Sequence, residues 1–214
     1  PKKLSAFQIK QLEDWQNIVP KMLYWLKVVS HPDEKISFFN DSAFKIAPEN
    51  LEIFCYSDRL GFKSDDPKNG ITHLQSSGLL RLQDDKFVVI ADFAEIGASY
   101  NPGHAHADTL SFELSFCGQR LFVNSGTSLY KNGQERLRQR STVAHNTVCL
   151  QNKNSSQIWS SFRVADRAKV INLKIDNNEL VKSISATHDG YYKTIKGPLH
   201  ERKITLSKNE FKII

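Results

Sequence analysis

Near Ser76-Ser77-Gly78 the apolar residues change their spacing from a helical period to an alternating one. Before that point, Ser5 and Gln8 form a capping-box pair, and Ile9, Leu12, Trp15 and Val19 recur at helical intervals. Pro20 is expected to kink this helix or to start a second one. Met22, Leu23, Trp25, Leu26 and Val29 prolong the apolar face, and Pro32-Asp33 signals a turn. Pro48 suits a first helical position, with Leu51, Phe54, Cys55 and Tyr56 behind it and Gly61 as a C-cap. The spacing predicts helices over 5–30 and 48–61 and a helical part covering 1–62. Residues 63–78 hold Pro67, Gly70 and the Ser-Ser-Gly run and are predicted to be a linker.

From residue 79 onward the strand period dominates. Leu110, Phe112, Leu114 and Phe116 alternate with Ser111, Glu113, Ser115 and Cys117, and Gly118-Gln119 marks a hairpin into 120–123. Asp84-Asp85 marks a tight turn between strands at 79–82 and 87–91. Further strands are predicted at 147–150, 162–165, 169–175, 180–186, 203–206 and 211–214. Many strands with short turns and no helices between them exclude a parallel α/β sheet. They predict a mainly β chain: an antiparallel β-sandwich over 79–214 behind a short helical part.

At 214 residues and 24.4 kDa the chain is long enough to bury a full core without disulfides. Its 40% hydrophobic and 24% charged residues exclude intrinsic disorder, and no apolar run is long enough to span a membrane. Cys55, Cys117 and Cys149 are widely spaced and are expected to be buried free thiols. The chain opens at Pro1 and stops at Ile214 in strand-like composition, which suggests a piece of a longer protein. Of the net charge of +6, four units lie between Arg120 and Arg140, where five basic residues face Glu135 alone. Such a cluster suggests an anionic ligand or a solvated loop. Nucleic acid is disfavoured, since aromatics are not interleaved with the basic cluster as a base-stacking platform would require.

Chemistry concentrates in Tyr100-Asn101-Pro102-Gly103-His104-Ala105-His106-Ala107-Asp108, a turn entering the alternating strand. On a strand His104, His106 and Asp108 share one face. An HxH pair can hold a metal ion, or one histidine can move protons while its neighbour binds metal. Asn124-Ser125-Gly126-Thr127 ends a strand at a glycine turn, and His145 is expected to open another strand. His31, His73, His188 and His200 lie in turn-like surroundings and are read as surface or structural.

These segments together resemble the C-terminal β-sheet domain of heparinase II/III-like polysaccharide lyases. Phe38-Phe39-Asn40-Asp41-Ser42 upstream is similar to the end of that family's helical toroid. Trp159–Arg163 and His188-Asp189-Gly190-Tyr191 continue the likeness downstream. The resemblance implies an (α/α) toroid, here truncated, before a β-sandwich, and β-elimination on an acidic, uronate-containing polysaccharide bound between them. It implies a catalytic role for His104, zinc ligands at His106 and His145, and substrate contacts at Tyr130 and Arg140. Asn124 stands where the family carries a zinc-binding aspartate, which weakens the expected zinc site. The family's toroid tyrosine and asparagine would lie outside this sequence. A periplasmic or secreted bacterial protein is favoured by the same likeness. A second reading is a non-catalytic glycan binder of a surface-polysaccharide pathway, holding its ligand through the Arg120–Arg140 segment.

Overall fold

The computed structural model describes residues 4–208 and 210–214. Helix α1 runs Ala6–Val28 and α2 runs Asn50–Arg59. The capping box forms as the residue types require: Gln8 N donates to Ser5 Oγ, and Ser5 N donates back to Gln8 Oε1. Pro20 lies inside α1, which continues through it to Val28, so the expected break is not taken. Gly61, at φ +81°, follows α2 in the left-handed conformation that glycine adopts at no steric cost.

Two antiparallel sheets form the body. The first has five strands in sequential order: β1 (Gly70–Leu74), β2 (Leu79–Gln83), β3 (Phe87–Asp92), β4 (Ser111–Phe116) and β5 (Gln119–Phe122). A two-stranded piece follows, β6 (Ile158–Ser160) with β7 (Arg163–Val164). The second sheet has the order β11-β10-β9-β8, built from β8 (Val170–Asn177), β9 (Val181–His188), β10 (His200–Ser207) and β11 (Glu210–Ile213). Short helices α3 (Gln134–Arg140) and α4 (Gly190–Ile195) lie in the connections.

Strand alternation sorts the first sheet into two faces. Leu80, Leu82, Val89, Ala91, Phe112 and Leu114 pack against Ile184, Ala186, Ile204 and Leu206 of the second sheet, and these form the sandwich core. Cross-strand partners share a face, so Arg81, Ile90 and Glu113 stand together on the opposite side. That side is covered by the segment leaving α1. Arg81 Nη1 donates to the carbonyls of Val28 and Ser30, at 3.1 and 2.6 Å. Glu113, fully buried, accepts from His31 Nε2 at 2.7 Å, Phe38 N at 2.9 Å and Asn124 N at 2.8 Å. His31 Nδ1 sits 2.7 Å from Ser115 Oγ. Polar residues on one face of a central strand thus bolt the N-terminal segment to the sheet.

Several expectations change. The stretch read as a linker contains β1, which pairs with β2 along its whole length, so the sheet starts at Gly70. Residues 147–150 form no strand; the chain turns there around a single bridge between Leu150 and Lys153. Cys55 and Cys117 are exposed and Cys149 half-buried, because they fall on a helix surface and in turns rather than in the core. Among the described residues no helix is long and apolar enough to cross a membrane. Phe7, Trp15 and Met22 on α1 are exposed, and a groove of about 710 Å³ lined by Met22, Trp25, Ile53, Tyr56 and Leu60 opens between α1 and α2.

His188 and His200 are cross-strand partners at the ends of β9 and β10. Gly190 N donates to His188 Nδ1 at 3.0 Å, so the proton of His188 sits on Nε2 and donates to His200 Nδ1 at 2.9 Å. Burial and the neighbouring imidazole push His188 down to about 3, and burial with the nearby Arg202 pushes His200 down to about 4. In the unfolded chain both titrate near 6.5. Folded pKa values below the unfolded ones mean that the unfolded state takes up more protons between about pH 6.5 and 4. The stabilisation is therefore complete above pH 6.5 and is lost as pH falls. Melting temperature is expected to drop steeply over that window, and His200→Gln, which leaves one imidazole fewer to titrate, is expected to flatten the slope. Calorimetry across the pH series checks this; equal slopes would place the acid sensitivity elsewhere.

Candidate functional site

The segment carrying His104 and His106 is not a strand. Asn101 Oδ1 accepts from Gly103 N and caps a 3₁₀ turn, Pro102–His104, and a second turn closed by Ser111 N donating to the Asp108 carbonyl at 2.8 Å leads into β4. Its backbone is held by the end of α3. Ala107 N donates to the Arg140 carbonyl at 2.8 Å, while Arg140 Nε donates to the Ala105 carbonyl at 2.8 Å. The turn breaks the single-face arrangement expected of a strand: the His104 ring is largely exposed, whereas His106 and Asp108 are buried.

His106, Asp108 and His145 converge. One ligand atom from each lies within 4.8 Å of the others, and all three side chains are buried. His145 ends a second 3₁₀ turn, Thr142–Ala144, rather than opening a strand. His106 Nδ1 faces His145 Nε2 at 3.2 Å. His106 Nε2 lies 2.9 Å from Asp41 Oδ1, so its proton is on Nε2 and the Nδ1 lone pair points at His145. Burial lowers both imidazoles, His145 to about 4, and raises Asp108. Two neutral imidazoles and a carboxyl that burial alone disfavours as an anion are the donor set of a divalent ion such as zinc. Among the described residues His145 Nδ1 is buried without a partner, as is Asn124 Nδ2. The residues therefore fit a metal ion, with Asp108 supplying the anionic ligand. Asn124 is tied to the residue that follows His145. Its Oδ1 accepts from Asn146 N at 2.9 Å, so the amide fixes the loop behind His145.

On the rim, His104 stacks on Tyr130 with ring centroids 5.6 Å apart, and the phenol oxygen is 3.2 Å from His104 Nδ1. Tyr130 in turn meets Phe162 edge-on. Beneath them lies Asp41, whose part sequence reasoning missed: the carboxylate contacts His104, His106, Thr127 and Arg136. Burial alone would raise its pKa, but hydrogen bonds from His106 and Arg136 outweigh this and hold it well below the carboxylate range. The signal was an aspartate within Phe38-Phe39-Asn40-Asp41-Ser42, a segment whose place in space only the fold reveals.

The basic cluster is largely neutralised from within. Arg120 pairs with Asp33, Arg138 with Glu135 and Arg136 with Asp41. Arg140 is fully buried and donates to the carbonyls of Ala105, Ser160 and Pro102. Its guanidinium faces the chain's own backbone, so the substrate contact expected of it is not what this geometry offers. Burial, with repulsion from Arg136, pushes it down to about 10. The segment expected to bind an anion directly instead builds the floor of the site.

The chain is 26% identical over 201 residues to a heparin-sulfate lyase of Bacteroides stercoris, covering 85% of this chain and 30% of that protein. It is also 25% identical over 224 residues to a putative cysteine ligase BshC of Christiangramia forsetii, covering 95% of this chain and 36% of the relative. The solved heparan sulfate lyase of Pedobacter heparinus superposes with a TM-score of 0.71 at 20% identity, over 94% of this chain and 32% of that one. That likeness shows a shared fold. The chain thus spans about a third of the length of the proteins it matches. Residues 66–214, from just before β1 through the whole sandwich and every histidine of the site, match the family described as "Heparinase II/III-like, C-terminal". The chain belongs to the heparinase II/III-like C-terminal family.

Proposed function

We propose that this chain is the C-terminal part of a polysaccharide lyase that cleaves a uronate-containing acidic glycan by β-elimination. The observation that carries the reading is His104: an exposed imidazole held from below by Asp41 and stacked on Tyr130. In the reaction the C5–H bond breaks and its electron pair forms the C4=C5 double bond. The C4–O4 bond breaks in turn, and O4 leaves with its electron pair and takes a proton. The step needs a group that moves a proton beside the sugar and a neutralised uronate carboxylate. His104 is the proton-transfer group of this chain and Tyr130 the adjoining sugar contact. A metal ion bound by His106, Asp108 and His145 would supply positive charge that holds the loops around the site. The remaining residues needed, and the opposite wall of the cleft, belong to chain outside this sequence. The apolar side of α1 and its groove against α2 are where that chain would pack.

The glycan-binder reading draws no support from the Arg120–Arg140 segment, whose arginines are paired or buried. The deciding experiment incubates the full-length protein with uronate polymers and follows ultraviolet absorbance of the C4=C5 bond. Absorbance is expected to rise with the full-length protein and to stay flat with the 214-residue chain alone. No unsaturated product from the full-length protein with any uronate polymer would overturn the lyase reading. Turnover by the short chain would show that it carries the whole machinery.

The metal proposal has its own test. Zinc titrated into the protein is expected to bind one equivalent. His145→Ala is expected to lose more than the roughly 10–100-fold in affinity that outer partners cost, because it removes a ligand outright. Asn124→Asp is expected to bind more tightly, by adding an anion beside the ion. Metal content by plasma emission after chelator competition checks both. Zinc retained equally by His145→Ala would exclude this site.

A further inference from the structure

Asp41 lies on neither sheet. It is carried by the irregular segment between α1 and α2 and held in place from the β domain. Thr127 N donates to the Ser42 carbonyl at 3.1 Å, and Asn40 N approaches Asp108 Oδ2 at 3.4 Å. Gly126, at φ +64°, lets the backbone come this close: a Cβ there would stand 3.1 Å from the Ser42 carbonyl oxygen. The Asp41 side chain is 12% exposed. It receives Arg136 on both oxygens, Thr127 Oγ1 on Oδ1 at 3.1 Å, His106 Nε2 on Oδ1 at 2.9 Å and His104 Nδ1 on Oδ2 at 3.0 Å.

A carboxylate only accepts hydrogen bonds, and a guanidinium only donates. With Arg136 fully buried against it, the aspartate has no proton to give, so each imidazole nitrogen that faces it must carry the hydrogen. The two histidines present opposite nitrogens. His104 is thereby held as the Nδ1–H tautomer with Nε2 unprotonated, and His106 as the Nε2–H tautomer with the Nδ1 lone pair turned to His145. Tyr130, at 3.2 Å from the same Nδ1, faces an N–H, so its own hydroxyl hydrogen points away from the imidazole.

We propose that Asp41 is the positioning residue of this site, one carboxylate that sets the tautomers of His104 and His106 in opposite senses and so leaves Nε2 of His104 as the nitrogen that exchanges a proton with the sugar. The tautomer assignment stands on hydrogen-bond chemistry alone; its catalytic meaning rests on the lyase reading. It also gives Arg136 a purpose: the buried guanidinium, flanked by the Tyr130 and Phe162 rings at 5.1 Å, keeps the aspartate ionised and aimed.

The test is long-range ¹H–¹⁵N correlation of the histidine side chains in metal-free protein at about pH 8, where free imidazoles are neutral. The wild type is expected to show His104 protonated on Nδ1 and His106 on Nε2. In Asp41→Asn the carboxamide offers one acceptor end and one donor end, so at least one of the two rings is expected to switch tautomer. In the full-length lyase the same variant is expected to lower kcat by about 10²–10⁴-fold, as when a triad aspartate is replaced. KM is expected to change by less than about threefold. The opposite tautomer at either histidine in the wild type overturns the proposal with no variant needed. Unchanged tautomers in a folded Asp41→Asn protein overturn it as well. Failure of the lyase reading would appear instead as the absence of unsaturated product, with the tautomers as assigned.

Discussion

Glu113→Ala is expected to destabilise the protein by about 3–5 kcal/mol, the usual consequence of removing one partner from a buried charged network. The carboxylate is fully buried and accepts from His31, from the backbone of Phe38 and from the backbone of Asn124. Deleting it strands three donors, of which those of His31 and Asn124 are buried and cost about 1–3 kcal/mol each when left unpartnered, less whatever local relaxation recovers. It also opens a void in the layer between sheet and N-terminal segment. For a chain of this size the loss corresponds to a fall in melting temperature of roughly 6–20 °C. Ser115→Ala removes only the contact to His31 Nδ1 and is expected to cost about 1 kcal/mol. Thermal unfolding of both variants beside wild type checks the ranking. Near-equal melting of Glu113→Ala and wild type would mean that the N-terminal segment is not anchored through this residue.

His104→Ala in the full-length lyase is expected to lower turnover by about 10²–10⁴-fold, the usual worth of a positioned proton-transfer group. The change should hardly touch stability, because the ring is 62% exposed. That separation is diagnostic: His106→Ala and His145→Ala empty buried positions and are expected to lower stability together with any activity. Initial rates from the ultraviolet assay, with melting temperatures of the same preparations, separate the two cases. Unchanged turnover in a folded His104→Ala protein would make His104 structural.

Much of this molecule is legible in its residue order. Helical and alternating spacing locate α1, α2, and nearly every strand of both sheets, because burial of one face is a local property written into residue order. The Ser5–Gln8 capping box and the Gly118 hairpin are equally local. β1 was hidden because an edge strand with Gly70 and only two large apolar residues alternates too weakly to register. Residues 147–150 misled for the opposite reason: their residue types suit a strand, but Val148 is exposed and its carbonyl accepts from Tyr191 Oη instead of from a neighbouring strand.

The site divides in the same way. His104, His106 and His145 announce themselves by residue type and by proximity to turns, Tyr130 only through the family resemblance, and the structure brings His104 to Tyr130 and His106 to His145. The electrostatic assignments did not announce themselves. A run of arginines reads as a ligand surface until Asp33, Asp41 and Glu135 are seen to meet it, two of them from more than 80 residues away along the chain. Residue order determined which groups are available and which elements carry them. Only tertiary structure decided that Asp41, Asp108 and Glu113 would be the carboxylates around which the histidines are arranged. A hydrogen bond is settled by distance and by which atom holds the proton, and for residues far apart in the chain neither is encoded until the sheets close.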